Sequence, residues 1–326
     1  MRPINRKFVV YHAFALSLLA AVACEHAGPA SGGAFGPVIA LATSEHCTAF
    51  YRRRTGLFRE AELVCEQDNI KRLPVRFEDV HGLAFSVDGE QLAAVDAGGC
   101  IYLWEVSTAT HLETECLSGS RGSAIIGIQG EQWVVTAVAQ DDSSYVLLLD
   151  ENLDVVRELF KNPGPFDGGG YLLSMARTAD GGSFAIAANC AVLFEMPSQR
   201  QAGEVCPKGI AAEALAFSGL DDIVLLNTLG GVESGPLSLQ LADELFVAIA
   251  PVGPGVLTAT AGSKIYSLDR NLQILAVTEL PSSAGPLRAL VSYGETRVVA
   301  GTGTGVVLIL HYNRDGSLAI VRRYGY

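Results

Sequence analysis

The spacing of six cysteines constrains the possible folds of this chain more than any other feature of the sequence. They form three successive pairs whose members are 18, 16 and 16 residues apart: Cys47 and Cys65, Cys100 and Cys116, and Cys190 and Cys206. Within each pair the sequence runs through an apolar segment, a polar turn and a second segment, which is typical of a β-hairpin. Opposed cysteines on neighbouring antiparallel strands have Cβ atoms close enough for a disulfide. We therefore predict the disulfides Cys47–Cys65, Cys100–Cys116 and Cys190–Cys206.

The three segments between paired cysteines also resemble one another. Residues 100–116 read CIYLWEVSTATHLETEC, and they align without gaps with CAVLFEMPSQRQAGEVC of residues 190–206, so that Trp104 falls on Phe194. Tyr51 follows its cysteine by four residues, as Trp104 and Phe194 follow theirs. A segment that recurs in this way predicts a chain built from structural repeats.

The best-defined repeat covers residues 80–110 and reads VHGLAFSVDGEQLAAVDAGGCIYLWEVSTAT. It contains an alternating apolar strand, a VDG turn, a second strand, a glycine turn and a third strand that ends at Trp104. This unit resembles one blade of a WD-repeat β-propeller, whose blades carry an LAFSPDG strand and turn and end a later strand in Trp-Asp. Gly98 stands where that family has a structural Asp, so the usual polar network of the blade is expected to be missing. The resemblance implies an all-β ring of four-stranded blades.

The number of blades follows from the positions that correspond to Trp104. These positions are Tyr51, Trp104, Leu149, Phe194, Leu268 and Leu310, and the gap before Leu268 leaves room for one more unit around residues 211–245. The count predicts seven blades over residues 37–326, with few helices because no long segment has a 3.6-residue apolar period. Val38 to Thr43 is expected to be the second strand of the first unit, with only a Gly-rich segment before it. A three-stranded first blade, or six blades with an extra hairpin, is therefore the alternative.

The first 36 residues have a different composition from the repeats. A basic start precedes an uncharged, mostly apolar run from Phe8 to Ala23, which is shorter than the roughly 20 residues that a membrane-spanning helix needs. We therefore predict a signal peptide for export over residues 1–23. The run ends in AVAC, which resembles a bacterial lipoprotein signal and implies a lipid on Cys24, although Ala21 replaces the usual Leu. An ordinary signal peptidase would cut the same bond, and residues 24–36 are expected to form a flexible tether in either case.

Charge and chemistry narrow the possible functions. The formal net charge is −12. A nucleic-acid partner requires a cationic surface, so we predict that the protein does not bind nucleic acid. An anionic membrane would repel such a body, so any attachment to a membrane would be through the lipid alone. No GxSxG motif is present, and His46, His81, His111 and His311 have no neighbours at zinc-binding spacing. We therefore predict neither a metal nor a cofactor, and we assign no catalytic residue.

Two surface features are candidate contacts for a protein partner. Arg52, Arg53 and Arg54 form a basic cluster in an acidic protein, with Arg59 and Arg72 nearby in the sequence. At least two of the three consecutive arginines are expected to face solvent, while one can point towards a neighbouring blade. Reversing all three to Glu is accordingly expected to slow capture of a partner without unfolding the protein. Phe166 lies in the longest irregular connection, residues 161–171. The alternatives are that the arginines belong to a solvated hairpin and that the connection is a simple linker.

These observations favour a non-catalytic binding or scaffold propeller of the bacterial cell envelope. We expect it to be exported to the periplasm, the outer membrane or the cell surface, lipid-anchored, and to bind an unidentified envelope protein. The alternative is an exported propeller enzyme, similar to lactonases or lyases, with its site at the central channel. Such sites usually combine several His or acidic residues from different inner strands, whereas here only His81 and Glu213 lie near the starts of inner strands.

Overall fold

The computed structural model describes residues 38–52, 61–65, 70–73, 79–162, 174–196, 198–207, 212–217 and 222–325. These residues form seven antiparallel sheets, each made of four consecutive strands. The only helical segment in these ranges is a 3₁₀ turn at Ser282–Ala284. The protein is therefore an all-β, seven-bladed β-propeller, and the alternative of six blades with an extra hairpin is wrong.

The 28 strands follow the chain blade by blade. Blades 1 and 2 contain β1 (Val38–Thr43), β2 (Cys47–Arg52), β3 (Ala61–Cys65), β4 (Ile70–Arg72), β5 (Val80–Phe85), β6 (Gln91–Asp96), β7 (Cys100–Glu105) and β8 (Thr110–Cys116). Blades 3 and 4 contain β9 (Ser120–Ile128), β10 (Gln132–Ala139), β11 (Ser144–Leu149), β12 (Val155–Asn162), β13 (Ser174–Arg177), β14 (Ser183–Ala187), β15 (Ala191–Glu195) and β16 (Arg200–Val205). Blades 5 to 7 contain β17 (Ala212–Phe217), β18 (Ile223–Asn227), β19 (Val232–Ser234), β20 (Leu237–Leu239), β21 (Phe246–Val252), β22 (Gly255–Thr260), β23 (Lys264–Leu268), β24 (Ile274–Glu279), β25 (Leu287–Tyr293), β26 (Arg297–Thr302), β27 (Val307–Tyr312) and β28 (Leu318–Tyr324).

The first strand of every blade is the innermost one. Each first strand contacts the first strands of the two neighbouring blades, and β1 contacts β25, so the seven strands close a ring around a channel. Second strands such as β2 and β22 are buried along their whole length because other blades cover both faces of the sheet. The outermost strands β8 and β28 are mostly exposed. Burial on both faces explains why the middle strands are continuously apolar rather than alternating.

All three disulfides join the cysteines that the sequence paired. Cys100–Cys116 connects the third and fourth strands of blade 2, and Cys190–Cys206 connects the ends of the corresponding strands of blade 4. In blade 1, however, Cys47–Cys65 connects the second strand to the third. The alignment of Tyr51 with Trp104 is therefore wrong by one strand, and Val38–Thr43 is the inner strand of blade 1 rather than its second. The strand missing from the sequence assignment is the short outer strand β4.

The polar network expected to be missing from blade 2 is present in another form. The Asp96 side chain, at the end of β6, accepts hydrogen bonds from the backbone amides of Gly98 (2.9 Å) and Cys100 (3.0 Å) and from the Tyr102 hydroxyl (2.9 Å). Asn227 has the same position in blade 5 and also accepts from two amides of the following turn. A side chain two residues before Gly98 therefore stabilises the turn before the third strand.

The ring closes at the boundary between blade 1 and blade 7, which we call the seam. Apolar side chains from both blades pack there in one buried cluster: Val38, Leu41, Phe50, Val64, Val299, Val307 and Ile309. Arg52 is 6% exposed, forms a short ion pair with Glu62 and donates from Nη1 to the Gly305 carbonyl oxygen of blade 7 at 3.3 Å. From the other side, Arg297 donates to the Glu45 carbonyl oxygen and to Thr48 Oγ1, both at 3.1 Å. Apolar burial and two arginines therefore hold the seam together.

The buried ion pair gives a direct test of the seam. Glu62→Gln keeps the shape of the side chain but removes the charge beside Arg52, so the free energy of unfolding should fall by about 3–5 kcal/mol. Chemical denaturation measures this loss, and Glu151→Gln, in an exposed turn, is the matched control and should leave stability unchanged. A loss below about 1 kcal/mol would mean that the pair behaves like an exposed ion pair.

Candidate interaction face

The two faces of the ring carry different parts of the chain. We call upper the face that carries the turns between second and third strands and the connections between blades, and lower the opposite face. In blade 2 the amide of Ala97, just after β6, donates to the carbonyl of Asp79, just before β5, at 2.8 Å, so both lie on the upper face. Gly122, near the start of β9, closely approaches the Asp96 carbonyl of blade 2, which shows that neighbouring inner strands run in the same direction. Inner strands therefore begin at the upper mouth of the channel and end at the lower one.

A β-bulge recurs at the start of six inner strands. In each case one residue has no partner in the register with the second strand: Ile39, His81, Ser123, Glu213, Val247 and Arg288. The start of the corresponding segment of blade 4 lies outside the described residues. Bulges re-aim side chains and are common next to binding sites. The bulge ring, as we call these six residues, therefore marks the upper mouth of the channel.

The side chains of the bulge ring differ in chemistry. Ile39 is 39% exposed, and His81 and Arg288 are exposed as well. His81 Nδ1 lies 2.8 Å from the Gly122 carbonyl oxygen of blade 3, which fixes the imidazole across a boundary between blades. Ser123 Oγ lies 2.8 Å from Thr136 Oγ1. Exposed aliphatic, aromatic and cationic groups on a rigid ring are suited to contacts with a protein surface.

Besides the bulge ring, a cluster of hydrogen-bonded polar side chains lies on the upper face of blade 3. The Ser143 hydroxyl, next to the Asp141 carboxylate, lies 3.1 Å from the Tyr145 hydroxyl, and Lys161 Nζ lies 4.9 Å from the centre of the Tyr145 ring. The hydrogen bond from Lys161 and then that with Ser143 hold the pKa of the Tyr145 phenol below its usual value. The hydrogen bond with Ser143 similarly lowers the pKa of Asp141. This cluster adds hydrogen-bonding groups to the rim of the same face.

The structure corrects one of the candidate contacts predicted from the sequence. Arg52 is buried at the seam, where its charge is paired with Glu62, so it is not a surface contact for a partner. Arg52→Glu would place a second carboxylate beside Glu62, and the triple reversal is therefore not expected to leave the fold intact. Arg53, Arg54 and Phe166 lie outside the described residues, as do residues 1–36 with Cys24. The described strand ends next to these segments, at Val38, Arg52 and Asn162, lie on the upper face.

Two described hydroxyl groups lie next to possible bases: the Thr114 hydroxyl is 2.7 Å from His111 Nε2, and the Ser143 hydroxyl donates to Asp141. Each contact joins residues two or three positions apart in one strand or turn. Cys190, Glu204 and Cys206 are the one described group of three with metal-ligating atoms close together. Two of the three are joined in a disulfide and offer no thiolate. One groove of about 540 Å³ lies between blades 1 and 2, and another of about 380 Å³ lies at the seam. The first groove is lined mainly by turns of the lower face, and the second by the outer strands β3 and β28.

Comparisons with known proteins agree with the fold and extend no further. No family model matches the chain, and no curated protein matches it. Among the many solved structures that match is the β-propeller domain of Cps50 (Swd1) from Myceliophteria thermophila, with a TM-score of 0.66 and 11% sequence identity. The match covers 84% of this chain and 96% of that domain. The chain thus has a WD-repeat-like β-propeller fold.

Two further observations concern the location of the protein. Three disulfides indicate an oxidising, exported location. In the part of the chain that the structure describes, no helix has the length and apolar character needed to cross a membrane.

Proposed function

We propose that this protein is a non-catalytic binding scaffold of the bacterial envelope, which receives a protein partner on its upper face. The observation that carries the proposal is the bulge ring, because one local deviation recurs in six blades and surrounds a single mouth of the channel. A bulge that only protected a strand edge would not need exposed side chains as different as those of Ile39 and Arg288. Their variety supports recognition of an irregular protein surface rather than of a repeated ligand.

The export signal and the lipid on Cys24 belong to the same proposal. The disulfides support an oxidising compartment, and the sequence before the propeller supports a lipid anchor. A lipid on Cys24 would hold the propeller close to one membrane, and a flexible tether would leave its orientation free. A partner within the same membrane would then be within reach.

The lipid anchor is tested by metabolic labelling with a fatty-acid analogue. The native protein should take up the label and partition into detergent, whereas Cys24→Ala should take up none because it lacks the acceptor thiol. A native protein that is unlabelled and water-soluble would contradict anchoring, and the scaffold would then have to act as a free exported protein.

The interaction face is tested with two charge reversals on the same blade. Arg288 belongs to the bulge ring, whereas Arg314 is exposed in the lower turn between β27 and β28. Capture from detergent-solubilised envelopes should recover a protein with the native chain and with Arg314→Glu, and much less of it with Arg288→Glu. Once this protein is purified, Arg288→Glu should slow association by about tenfold at low salt, and by less as ionic strength rises. Equal association by both variants would contradict a partner site on the upper face.

A further inference from the structure

Three groups that can bind a metal ion meet at the upper edge of blade 4. Cys190 lies in the turn between β14 and β15, and Cys206 directly follows β16, so the two cysteines lie opposite each other. Glu204, in β16, precedes Cys206 by two residues, and side chains two residues apart in a strand point to the same face. The two sulfur atoms and a carboxylate oxygen of Glu204 all lie within 4.8 Å of one another. In the described part of the chain, this is the only group of three potential metal ligands that lie so close together.

The separation of these atoms suits a shared ion. Glu204 Oε1 lies 3.7 Å from Cys206 Sγ. In a tetrahedral zinc site, bonds of about 2.0–2.3 Å place neighbouring ligand atoms about 3.6 Å apart. The carboxylate and the sulfur are therefore already separated as two ligands of one ion would be. The pairing of Ala191 with Val205, next to the cysteines, is formed by the main chain and does not require the disulfide.

Blade 2 contains the same strand pair and disulfide but lacks this carboxylate. Thr114 has the position in blade 2 that Glu204 has in blade 4, two residues before the second cysteine of the pair. Glu115 directly precedes Cys116, and a side chain next in sequence points to the opposite face of a strand. The two blades therefore provide one disulfide with an acidic neighbour on its own face and a matched disulfide without it.

The redox state of the disulfide decides whether these ligands are available. A closed disulfide offers no thiolate, and the thiolate is the form of cysteine that binds a metal. Cys206 is exposed and Cys190 is half-buried, whereas Cys47 of the blade 1 disulfide is only 5% exposed. An attacking thiolate can therefore reach the blade 4 disulfide from solvent, and exposed disulfides are the more readily reduced ones.

We propose that reduction of the Cys190–Cys206 disulfide creates a site for a thiophilic divalent cation such as Zn²⁺, bound by the two thiolates and the Glu204 carboxylate. Thiolates select zinc-like ions over Mg²⁺ and Ca²⁺, and a water molecule supplies the fourth ligand. In an oxidising compartment the site is closed until a reductant opens it, so metal binding reports reducing conditions. The site uses no residue of the bulge ring and does not depend on the protein partner proposed above.

A dithiol is the reductant that the proposal requires. One of its thiolates attacks a sulfur of the disulfide, and its second thiol releases the mixed disulfide. The S–S bond of the protein breaks, each cysteine gains one proton, and the dithiol becomes a cyclic disulfide after giving up two electrons. Metal binding then releases the two cysteine protons as two sulfur–metal bonds form.

Partial reduction of the full chain tests whether the disulfide opens in the folded protein. After treatment with a low concentration of a small dithiol and alkylation of free thiols, mass spectrometry should find Cys190 and Cys206 modified while Cys47 and Cys65 stay joined. The far-ultraviolet circular dichroism should not change, because the main-chain pairing of β15 with β16 remains. A blade 4 disulfide that outlasts Cys47–Cys65, or a chain that unfolds when it opens, would overturn the proposal.

Titration of the mildly reduced chain with Co²⁺, after anaerobic removal of the dithiol, tests metal binding, because Co²⁺ absorption reports thiolate ligands and tetrahedral geometry. Two variants each retain one of the two similar cysteine pairs. The reduced Cys100→Ser/Cys116→Ser chain keeps the blade 4 pair and should bind one Co²⁺, which Zn²⁺ should displace. The reduced Cys190→Ser/Cys206→Ser chain keeps the blade 2 pair and should bind Co²⁺ at least about tenfold more weakly. The oxidised native chain should show no thiolate absorption.

Two further substitutions, each added to the chain that keeps the blade 4 pair, separate a carboxylate ligand from a general effect of negative charge. Glu204→Gln should weaken Co²⁺ binding by about tenfold or more, because a neutral amide replaces one of three protein ligands. Glu115→Gln removes a charge from blade 2 and should leave the affinity unchanged. Equal affinity of these two variants, equal affinity of the two cysteine variants, or the same Co²⁺ spectrum before and after reduction would contradict the proposed site.

Discussion

The packing of Val38, Phe50 and Ile309 between blade 1 and blade 7 closes the ring, and the positions of the other blades depend on it. In many closed folds a shared strand joins the two ends of the chain, but here each sheet consists of four consecutive strands. No described strand crosses the seam. The seam is also the one boundary between neighbouring blades at which the chain does not run directly from one blade into the next. Its stability must therefore come from side chains alone.

The seam shows how closely these side chains must fit. A Cβ on Gly301 of β26 would lie 2.6 Å from Val38 Cγ1, so a glycine is needed where β1 approaches the last blade. Arg52 serves both blades, since it is paired with Glu62 in blade 1 and donates to Gly305 in blade 7. A ring closed in this way holds the upper mouth in one shape, and the bulge ring is rigid for that reason. The lower mouth is enclosed by the same closed ring of inner strands.

Much of the fold was predictable from local sequence patterns, because cysteine pairs and blade repeats are local features. The three disulfides follow from spacings within single blades, and the seven units follow from the interval at which the same marker position recurs along the chain. The strand assignment of blade 1 was not predictable, since its disulfide joins different strands from the others and Tyr51 resembles Trp104 only in its distance from a cysteine. The alternation of a strand allowed one of the three arginines to point towards a neighbouring blade. The burial of Arg52 depends on a contact 253 positions away, so the sequence did not show which arginine is buried. His81 and Glu213 lie near the starts of inner strands, and the sequence analysis noted both positions. The bulges themselves become visible only when the pairing of each inner strand with its second strand is known.

Native-state hydrogen exchange at low denaturant concentration tests directly whether the seam limits the stability of the ring. If side chains alone hold the seam, the amides of β1 and β25, together with those of the strands they pair with, should become exchangeable at a lower free energy than the amides of β13 and β14. Blades 1 and 7 should open together, because each loses its partner when the seam separates. Equal protection in all seven blades, or earlier opening of blade 4, would contradict this account.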